Sequence, residues 1–545
     1  MPKSETTSTP DRMTVLHWAA LVVALGLLNA ALTFTNVWPT PKVSLSGDLS
    51  VELAVCILGL VLAWRWGGAA SGAVRRWLAV LWVFLVLGRY AEVTVRALYG
   101  RDINIYWDLR LLPNVGAMFA VVANPWLTAA VVTALILIPV LIYTPLRWAL
   151  GCIGDATNDL YARRALGAMA SGVIFLSFFQ ALGARVPAPV RLAEPVIPTY
   201  VREFRELAYE ITGAGLRDLG PPPTLHSDLS HVSGADVLLV FLESYGAISW
   251  DRQELAESLA PSRLHLATAI RETGRSVVSA FVESTTFAGE SWLAHISLLS
   301  GTEVRDQGTN VRLMAQQRDT LVTIFGSQGY RTVAIMPGLL LDWPQGAFYG
   351  FDDIYDLARL DYQGPPFGWW DTNDQFAFAR MDALEIEPQP RRPVFVFFPT
   401  ITTHAPFTPA PPYQPDWTKV LTPNPYKTAD LDHAWSEQPD WLNLGPSYVK
   451  GLAYAHATLS GYLRLRADRD FVLILIGDHQ PSAFLTGENA SWEVPVHVIS
   501  SRRAVLDTLR QHRFHEGLDP KHPAVARMDT LLPILLEAFG DVEKP

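Results

Sequence analysis

The first 190 residues contain long apolar segments, whereas the later residues combine short apolar runs with helical patterns. Five of the long segments are each about long enough to cross the ~30 Å hydrocarbon core of a membrane. They cover residues 14–36, 50–66, 77–98, 122–145 and 165–187. Because charges inside a bilayer are costly, we expect Arg89, Glu92 and Arg96 in the third segment to face other helices or the membrane surface. Residues 1–190 are therefore predicted to form a five-helix transmembrane region.

The arginines between these segments predict the orientation of the chain. Short cytoplasmic loops carry an excess of Lys and Arg. Arg75 and Arg76 lie between the second and third segments, and Arg147, Arg163 and Arg164 lie around the connection between the fourth and fifth. With the N-terminus inside and five spans, the C-terminal part is expected outside the cytoplasm.

Residues 234–545 have the pattern of an α/β domain, and residues 191–233, rich in proline and charge, are predicted to be a linker with a juxtamembrane helix. In the α/β part, helical patterns alternate with the apolar runs "DVLLVFLES", "SVVSAFVES", "RTVAIMPG", "RPVFVFFPT" and "FVLILIGDH". Continuous apolar strands between helices predict a mainly parallel sheet covered by helices on both faces. In such sheets, ligand-binding groups gather at the carboxyl ends of the strands.

Composition narrows the class of protein. Half of the 545 residues are hydrophobic and only 18% are charged, which favours membrane association. The net charge of −10 argues against a nucleic-acid partner. Both cysteines, Cys56 and Cys152, lie in the first 190 residues, so the α/β domain must fold without disulfides. The excess of arginine over lysine favours a bacterial source.

Acidic, imidazole and hydroxyl groups follow several predicted strands. Glu243 follows "DVLLVFL", His404 follows "VFVFFPTITT", and Asp478 and His479 follow "FVLILIG". Glu243, Asp478 and His479 offer two oxygen ligands and one nitrogen ligand, which suits Mn²⁺, Mg²⁺ or Zn²⁺. We therefore predict a divalent metal site at this edge of the sheet.

Ser291 is the candidate nucleophile. It opens a predicted helix after Gly289, where free N–H groups can hold the oxygens of a phosphoryl or sulfuryl group. A divalent cation can bind a serine hydroxyl and lower its pKa, so Ser291 is also a predicted metal ligand. His404 could hold a non-bridging oxygen or protonate the leaving group.

Each of these residues also has a structural interpretation. Glu243 could be an exposed acid at a strand end, Ser291 a helix N-cap, and His404 a packing residue in a loop. Three other hydroxyls compete with Ser291 but do not open a helix after glycine: Thr285, Thr286 and Ser300.

The ordered motifs "FLES", "GESWLAHISLLSG", "TTHAPF" and "IGDHQP" resemble the lipoteichoic acid synthase group of the sulfatase and alkaline phosphatase superfamily. The resemblance implies an α/β/α sulfatase-like extracytoplasmic domain and a single Mn²⁺ or Mg²⁺. It implies that Glu243, Asp478 and His479 bind the metal, that Ser291 is the nucleophile, and that His404 binds substrate.

One region departs from that group. Its members carry a His-Gly-Asp stretch followed by Trp-Asn-Arg, which grips glycerol phosphate, whereas this chain reads "MPGLLLDWPQG". Trp343 matches the tryptophan and is a predicted substrate-binding residue. Met336, Gly338 and Gln345 replace the histidine, aspartate and arginine. The departure argues against a polymerase of teichoic acid, and Arg331 or Arg359 is a candidate replacement cation.

The stretch "FGWWDTNDQF" supports two further predictions. Trp369 and Trp370 are interpreted as core or interface anchors, with a lipid or sugar groove as the alternative. Asp371 or Thr372 is predicted to cap a helix, with Gln375 completing a capping box.

These observations predict a metal-dependent transferase in the bacterial inner membrane, with its C-terminal domain in the periplasm or at the cell exterior. It would move a phosphoglycerol- or phosphoethanolamine-type head group from a phospholipid donor to an envelope glycan or lipid through a covalent Ser291 intermediate. Two alternatives remain open. One is a phosphodiesterase or sulfatase-like ester hydrolase, and the other is a non-catalytic envelope protein with the same fold.

Overall fold

The chain forms two compact units. The computed structural model describes residues 13–37, 42–67, 71–122, 125–183, 190–213, 219–340, 343–440, 443–487 and 489–541. The first unit comprises Met1–Ala97 and Arg101–Leu216, and the second comprises Leu98–Gly100 and Arg217–Pro545. Parts of three sequence predictions lie outside the described residues: 123–124 and 184–187 of the fourth and fifth segments, and 214–218 of the linker.

Among its described residues, the first unit is mainly helical, with one short hairpin and an isolated bridge between Leu49 and Leu192. Its helices are α1 (Val15–Thr33), α2 (Val51–Gly67), α3 (Gly72–Tyr99), α4 (Ile105–Val122), α5 (Pro125–Ala156), α6 (Leu160–Ala181) and α7 (Ile197–Thr212). The hairpin pairs β1 (Thr35–Asn36) with β2 (Val43–Ser44). Helix α7 lies within the segment 191–233, where the sequence predicted a juxtamembrane helix.

The prediction of five spans is wrong by one helix. Among the described residues, four helices are long and apolar enough to cross a membrane, namely α1, α3, α5 and α6. Helix α2 has 17 residues. At 1.5 Å per residue it reaches about 25 Å, which is short of the ~30 Å hydrocarbon core. Helix α4, which contains Pro113, was not predicted.

Two of the three charged residues that were expected to be shielded in α3, Arg89 and Glu92, are buried, whereas Arg96 is partly exposed and lies 3.5 Å from Glu92. The exposed fractions of Arg89 and Glu92 are 6% and 3%. The Nε of Arg89 donates to the carbonyl of Phe34 at 3.1 Å, and an Arg89 guanidinium nitrogen lies 3.6 Å from a carboxylate oxygen of Glu92. Each charge therefore has a polar partner inside the helical unit.

The second unit contains the sheet and its covering helices. Its strands are β3 (Asp236–Leu242), β4 (Ser276–Glu283), β5 (Arg331–Ile335), β6 (Asp353–Tyr355), β7 (Val394–Pro399), β8 (Phe471–Gly477), β9 (Glu493–Ser500), β10 (His515–Glu516) and β11 (Ala526–Arg527). Its longer helices are α9 (Gln253–Glu272), α10 (Ser291–Ser300), α11 (Gln307–Met314), α12 (Leu321–Ser327), α14 (Asp374–Met381), α16 (Thr428–Ser436), α17 (Gly445–Leu465), α19 (Arg503–Gln511) and α20 (Leu531–Phe539). Single-turn helices are α8 (Ile248–Asp251), α13 (Leu357–Leu360), α15 (Trp417–Val420) and α18 (Ala483–Thr486).

The sheet is mainly parallel, as predicted. Among the described residues it has nine strands, in the order β10-β4-β9-β8-β3-β7-β5-β6, with β11 also paired to β4. Strands β8, β3, β7, β5 and β6 form one parallel block. Strand β9 is antiparallel to both of its neighbours, which the sequence analysis did not anticipate.

Helices cover both faces of the sheet because the central strands are apolar on both sides. In β3, Val237, Leu239 and Phe241 pack on one face with α10, α12, α19 and α20. Leu238, Val240 and Leu242 pack on the other face with α9, α14 and α17. The predicted α/β/α layering is confirmed, and the carboxyl ends of the parallel strands lie together at one edge.

Candidate active site

Two neighbouring strands deliver the acidic residues of the site. Strands β3 and β8 are parallel and paired in register, with Leu242 opposite Gly477. Because Glu243 and Asp478 are the next residues along each strand, the two carboxylates emerge side by side. The sequence predicted that both residues lie at one edge of the sheet, but it did not predict that their strands are neighbours.

Glycines allow the two loops after these strands to touch. A Cβ on Gly477 would lie 2.0 Å from the carbonyl oxygen of Tyr245, far inside van der Waals contact. A Cβ on Gly246 would lie 1.8 Å from Oε1 of Gln480 and 2.9 Å from its Cα. Only residues without a side chain fit at these two positions, so the glycines fix the distance between the loops.

Glu243, Asp478 and His479 form a compact buried cluster. One ligand atom from each lies within 4.8 Å of the others. Nε2 of His479 lies 3.4 Å from Oε1 of Glu243 and 3.9 Å from Oδ2 of Asp478. The exposed fractions are 9% for Glu243, 1% for Asp478 and 2% for His479. The cluster is therefore shielded from bulk water.

The donor atoms of this cluster suit a cation, and burial controls their protonation. Nδ1 of His479 donates to the carbonyl of Gln480 at 2.8 Å, which leaves the lone pair of Nε2 directed at the carboxylates. Burial lowers the pKa of His479, which favours the neutral imidazole. Burial also raises the pKa of Asp478 well above its ordinary value, and the charge of Glu243 adds to this effect. Two buried carboxylates and one imidazole nitrogen are a donor set that fits a divalent cation.

Ser291 lies against this cluster at the first turn of α10. Its Oγ donates to Oε2 of Glu243 at 3.0 Å and lies 3.2 Å from Nε2 of His479. The three residues before it, Ala288, Gly289 and Glu290, have φ angles of 60°, 150° and 59°. Positive φ at two non-glycine residues costs about 1–2 kcal/mol each. The chain accepts this strain in the turn that presents Ser291.

His404 faces the same cluster from the loop after β7. It is close enough to Glu243 and His479 to interact electrostatically with both. Its Nδ1 donates to the carbonyl of Ala405 at 2.8 Å. The edge of Trp370 lies against the His404 ring, with the centroids 5.1 Å apart. These two contacts set the orientation of the imidazole.

Trp343 packs against the apolar core. Its ring lies 5.5 Å from that of Tyr349, centroid to centroid, and it covers Gly346 next to the apolar core. The substrate-binding role of Trp343 therefore stays a prediction, and its contacts are those of a packing residue.

The two arginines considered as replacement cations are held in ion pairs. Arg331 binds Glu385 at 2.6 Å and Asp353 at 2.7 Å. Arg359 binds the other oxygen of Asp353 at 2.8 Å and lies over the ring of Tyr355. Their charges are largely compensated, so neither fits the role of a substrate-binding cation in this arrangement.

Several residues that support the site were not predicted. The Oγ of Thr400 accepts the N–H of Glu243 at 3.1 Å. Asp374 accepts the N–H groups of Ile401 at 2.8 Å and Thr402 at 3.1 Å, and so holds the loop that carries His404. Burial raises the pKa of Asp374 to about 6. In the sequence, Asp374 is marked only by its place in "DTNDQF", a stretch that predicts a helix cap.

The predicted cap itself is wrong by one or two residues. Asn373 caps α14, and its side chain accepts the N–H of Phe376 at 3.0 Å. Thr372 and Asp371 precede the cap.

The comparisons with known proteins agree with the predicted superfamily. A family model described as Sulfatase matches residues 285–515, a segment that contains Ser291, His404, Asp478 and His479. The chain carries a sulfatase-family domain. Glu243 precedes the matched segment of this sulfatase domain and joins the other residues through the pairing of β3 with β8.

The solved structures that resemble the chain include the following three. The lipoteichoic acid synthase LtaP from Listeria monocytogenes is 13% identical over 54% of this chain and 71% of its own, with a TM-score of 0.35. The phosphoglycerol transferase GacH from Streptococcus pyogenes is 12% identical over 63% and 80%, with a TM-score of 0.35. The lipooligosaccharide phosphoethanolamine transferase EptA from Neisseria meningitidis is 14% identical over 95% of both chains, with a TM-score of 0.46. The comparison with curated proteins gave no match.

Proposed function

We propose that this protein is a membrane-anchored, metal-dependent transferase that moves a phosphodiester head group from a phospholipid to an envelope glycan or lipid. The observation that carries the proposal is the position of Ser291. Its hydroxyl opens α10 and bonds Glu243 within a buried cluster of two carboxylates and an imidazole. A nucleophile beside a cation site and a helix N-terminus suits attack on an anionic phosphodiester.

Glu243, Asp478, His479 and Ser291 would hold one divalent cation, with Mn²⁺ or Mg²⁺ favoured and Zn²⁺ possible. When bound, the cation would lower the pKa of the serine hydroxyl and offset negative charge on the phosphoryl oxygens. The donor set does not distinguish the three metals, because each accepts carboxylate and imidazole ligands.

The hydrogen bond to Glu243 would orient the hydroxyl of Ser291, which would first lose its proton to solvent. Its oxygen would then bond to the phosphorus of the donor, and the bond from phosphorus to the lipid oxygen would break. His404, which faces the cluster, would protonate the departing lipid alkoxide. A hydroxyl of the acceptor would then attack the same phosphorus and pass its proton to His404, while the bond from phosphorus to Ser291 breaks and Ser291 takes back a proton from solvent.

The membrane helices would keep the sulfatase domain at the surface where the phospholipid donor lies. Arg147 is in the last turns of α5, and Arg163 and Arg164 are in the first turn of α6. Because such arginines mark the cytoplasmic side, the chain that leaves the far end of α6 emerges outside the cytoplasm. The arginines predict the same orientation for four spans as for five, whereas an odd number of spans no longer supports it.

The covalent step can be tested by intact-mass measurement. Full-length protein in detergent is incubated with Mn²⁺ and a mixed bacterial phospholipid extract, alongside Ser291→Ala and the control Ser300→Ala. Ser300 ends the same helix and donates to the carbonyl of Ile296 at 2.6 Å, so its variant controls for the loss of a buried hydroxyl. We expect an adduct on the unmodified protein and on Ser300→Ala but not on Ser291→Ala.

The mass of the adduct would identify the transferred group as phosphoglycerol or phosphoethanolamine. An adduct that persists in Ser291→Ala would overturn the assignment of the nucleophile. If the free head group is released at the same rate with and without glycan acceptor, the protein is a hydrolase and not a transferase.

A further inference from the structure

Ser244 connects the two carboxylates of the site. Its backbone N–H donates to Oδ1 of Asp478 at 2.8 Å, and its hydroxyl donates to Oε1 of Glu243 at 3.0 Å. The residue is buried, with 4% of its surface exposed. One serine therefore holds an oxygen of each acid, although the acids belong to different strands.

These bonds determine which oxygens remain available to a cation. Oδ1 of Asp478 also accepts the N–H of His479 at 2.7 Å, so two N–H groups occupy it and Oδ2 remains on the side of the imidazole. Oε1 of Glu243 accepts Ser244, and Oε2 is the oxygen that Ser291 reaches. The carboxylates are thus oriented before any cation arrives.

The backbone of Ser244 is itself held in an unusual conformation. Its φ angle is 56°, in the left-handed region that disfavours residues with a side chain. The hydroxyl of Tyr448, a fully buried residue of α17, donates to the carbonyl of Ser244 at 3.0 Å. In this conformation both the N–H and the hydroxyl of Ser244 reach the acids, so the strain accompanies the two hydrogen bonds.

We infer that Ser244 is a positioning residue that presets Glu243 and Asp478 for a single divalent cation. The inference deepens the proposed function and rests on it. Groups that orient metal ligands from outside the coordination sphere typically change metal affinity by about 10–100-fold when removed. The hydroxyl of Ser244 is such a group, since it restrains one carboxylate without occupying the oxygen nearest the nucleophile.

The test is a Mn²⁺ titration of chelator-treated full-length protein in detergent, followed by the electron paramagnetic resonance signal of free Mn²⁺. Ser244→Ala removes the hydroxyl and keeps the backbone N–H. Ser244→Gly does the same and also relieves the positive φ, so it folds even where the alanine variant does not. Ser249→Ala is the matched control, because Ser249 is buried in the single-turn helix α8 five residues further on and its hydroxyl donates to the carbonyl of Gly246 at 2.8 Å.

We expect Ser244→Ala and Ser244→Gly to weaken Mn²⁺ binding by about 10-fold or more, with metal-free melting temperatures close to that of the parent. Ser249→Ala should bind as the parent does. Affinities within twofold of the parent in both Ser244 variants would overturn the inference while leaving the proposed function in place. An equal loss in Ser249→Ala would also overturn it, and a parent protein that binds no Mn²⁺ would overturn the proposed function itself.

Discussion

Ser291 and Glu243 are joined by a hydrogen bond of 3.0 Å between Oγ and Oε2, although 48 positions separate them in the sequence. The bond links the start of α10 to the end of β3. It places a hydroxyl in contact with a carboxylate that also lies 3.4 Å from the imidazole of His479. No covalent or local constraint requires this contact, so it comes from the packing of the sheet against its helices.

Asp478→Asn should abolish metal binding without destabilising the metal-free protein. Burial and the charge of Glu243 both disfavour the ionised form of Asp478, so a neutral amide removes an unfavourable charge. In the parent, Mn²⁺ at about 100 times its Kd should add about 2.7 kcal/mol of stability. Thermal unfolding with and without Mn²⁺ measures both effects.

The exposed residue Glu283 supplies the control for that experiment, because it pairs with Arg305 at the end of β4. Glu283→Gln should retain the stabilisation by Mn²⁺. A shift of the melting temperature by Mn²⁺ in Asp478→Asn as large as in the parent would remove Asp478 from the predicted ligands.

The sequence was sufficient to place most of this site. Apolar runs ended by polar residues identified β3, β7 and β8, and the rule for parallel sheets placed Glu243, His404 and Asp478 at one edge. Glu243 and Asp478 then met because their strands are adjacent, which is a consequence of strand order. The pattern itself contains no information on which strands are neighbours.

Other features had no readable signal. Nearly all residues of β9 are buried, so its hydrophobic pattern is the same as that of a parallel strand. The antiparallel direction of β9 could therefore not be predicted from the sequence. Ser244 is one of many serines, and its role depends on a φ angle and on hydrogen bonds formed in the folded chain. Helix α2 is apolar throughout most of its 17 residues, so its composition predicts a span although its length falls short of the hydrocarbon core.

Gly477→Ala should destabilise the sulfatase domain by about 2–3 kcal/mol, because the added methyl group would overlap the carbonyl of Tyr245. The two loops would have to separate, which would also weaken Mn²⁺ binding. Gly326→Ala in α12 is the control, since its methyl group would meet only Cγ2 of Thr332 at 3.9 Å. We expect that control to be neutral or more stable by about 0.5–1 kcal/mol. Equal melting temperatures for Gly477→Ala and the parent would contradict the close contact.

His404→Gln should lower kcat/KM by about 10²-fold while leaving Mn²⁺ affinity nearly unchanged. The residue faces the cluster but bonds to Ala405 and packs on Trp370, which is the arrangement of a substrate or leaving-group contact. His433→Gln provides the control, because the side chain of His433 is 79% exposed. Steady-state kinetics and the Mn²⁺ titration separate the two effects. A large loss of Mn²⁺ affinity in His404→Gln would instead make His404 a ligand.

His522 should make the stability of the sulfatase domain depend on pH. Its Nε2 lies 2.8 Å from Oδ1 of Asp251, its Nδ1 bonds Glu493, and its ring stacks on Phe281. Partial burial opposes protonation, but the two carboxylates outweigh it and raise the pKa of His522 above its ordinary value. Because the folded pKa is the higher one, the contribution of the charged ring is complete below the unfolded value of about 6.5.

That contribution should disappear as the pH rises through the folded pKa of His522. We therefore expect His522→Gln to lower the melting temperature most near pH 6 and progressively less toward about pH 9. Thermal unfolding of the full-length protein across this range measures the difference, with His433→Gln showing none. Both ring nitrogens contact carboxylates, so glutamine cannot replace the doubly bonded imidazolium. A deficit in His522→Gln that stays constant or grows with pH would mean that the ring acts through its packing on Phe281 and that its charge contributes nothing.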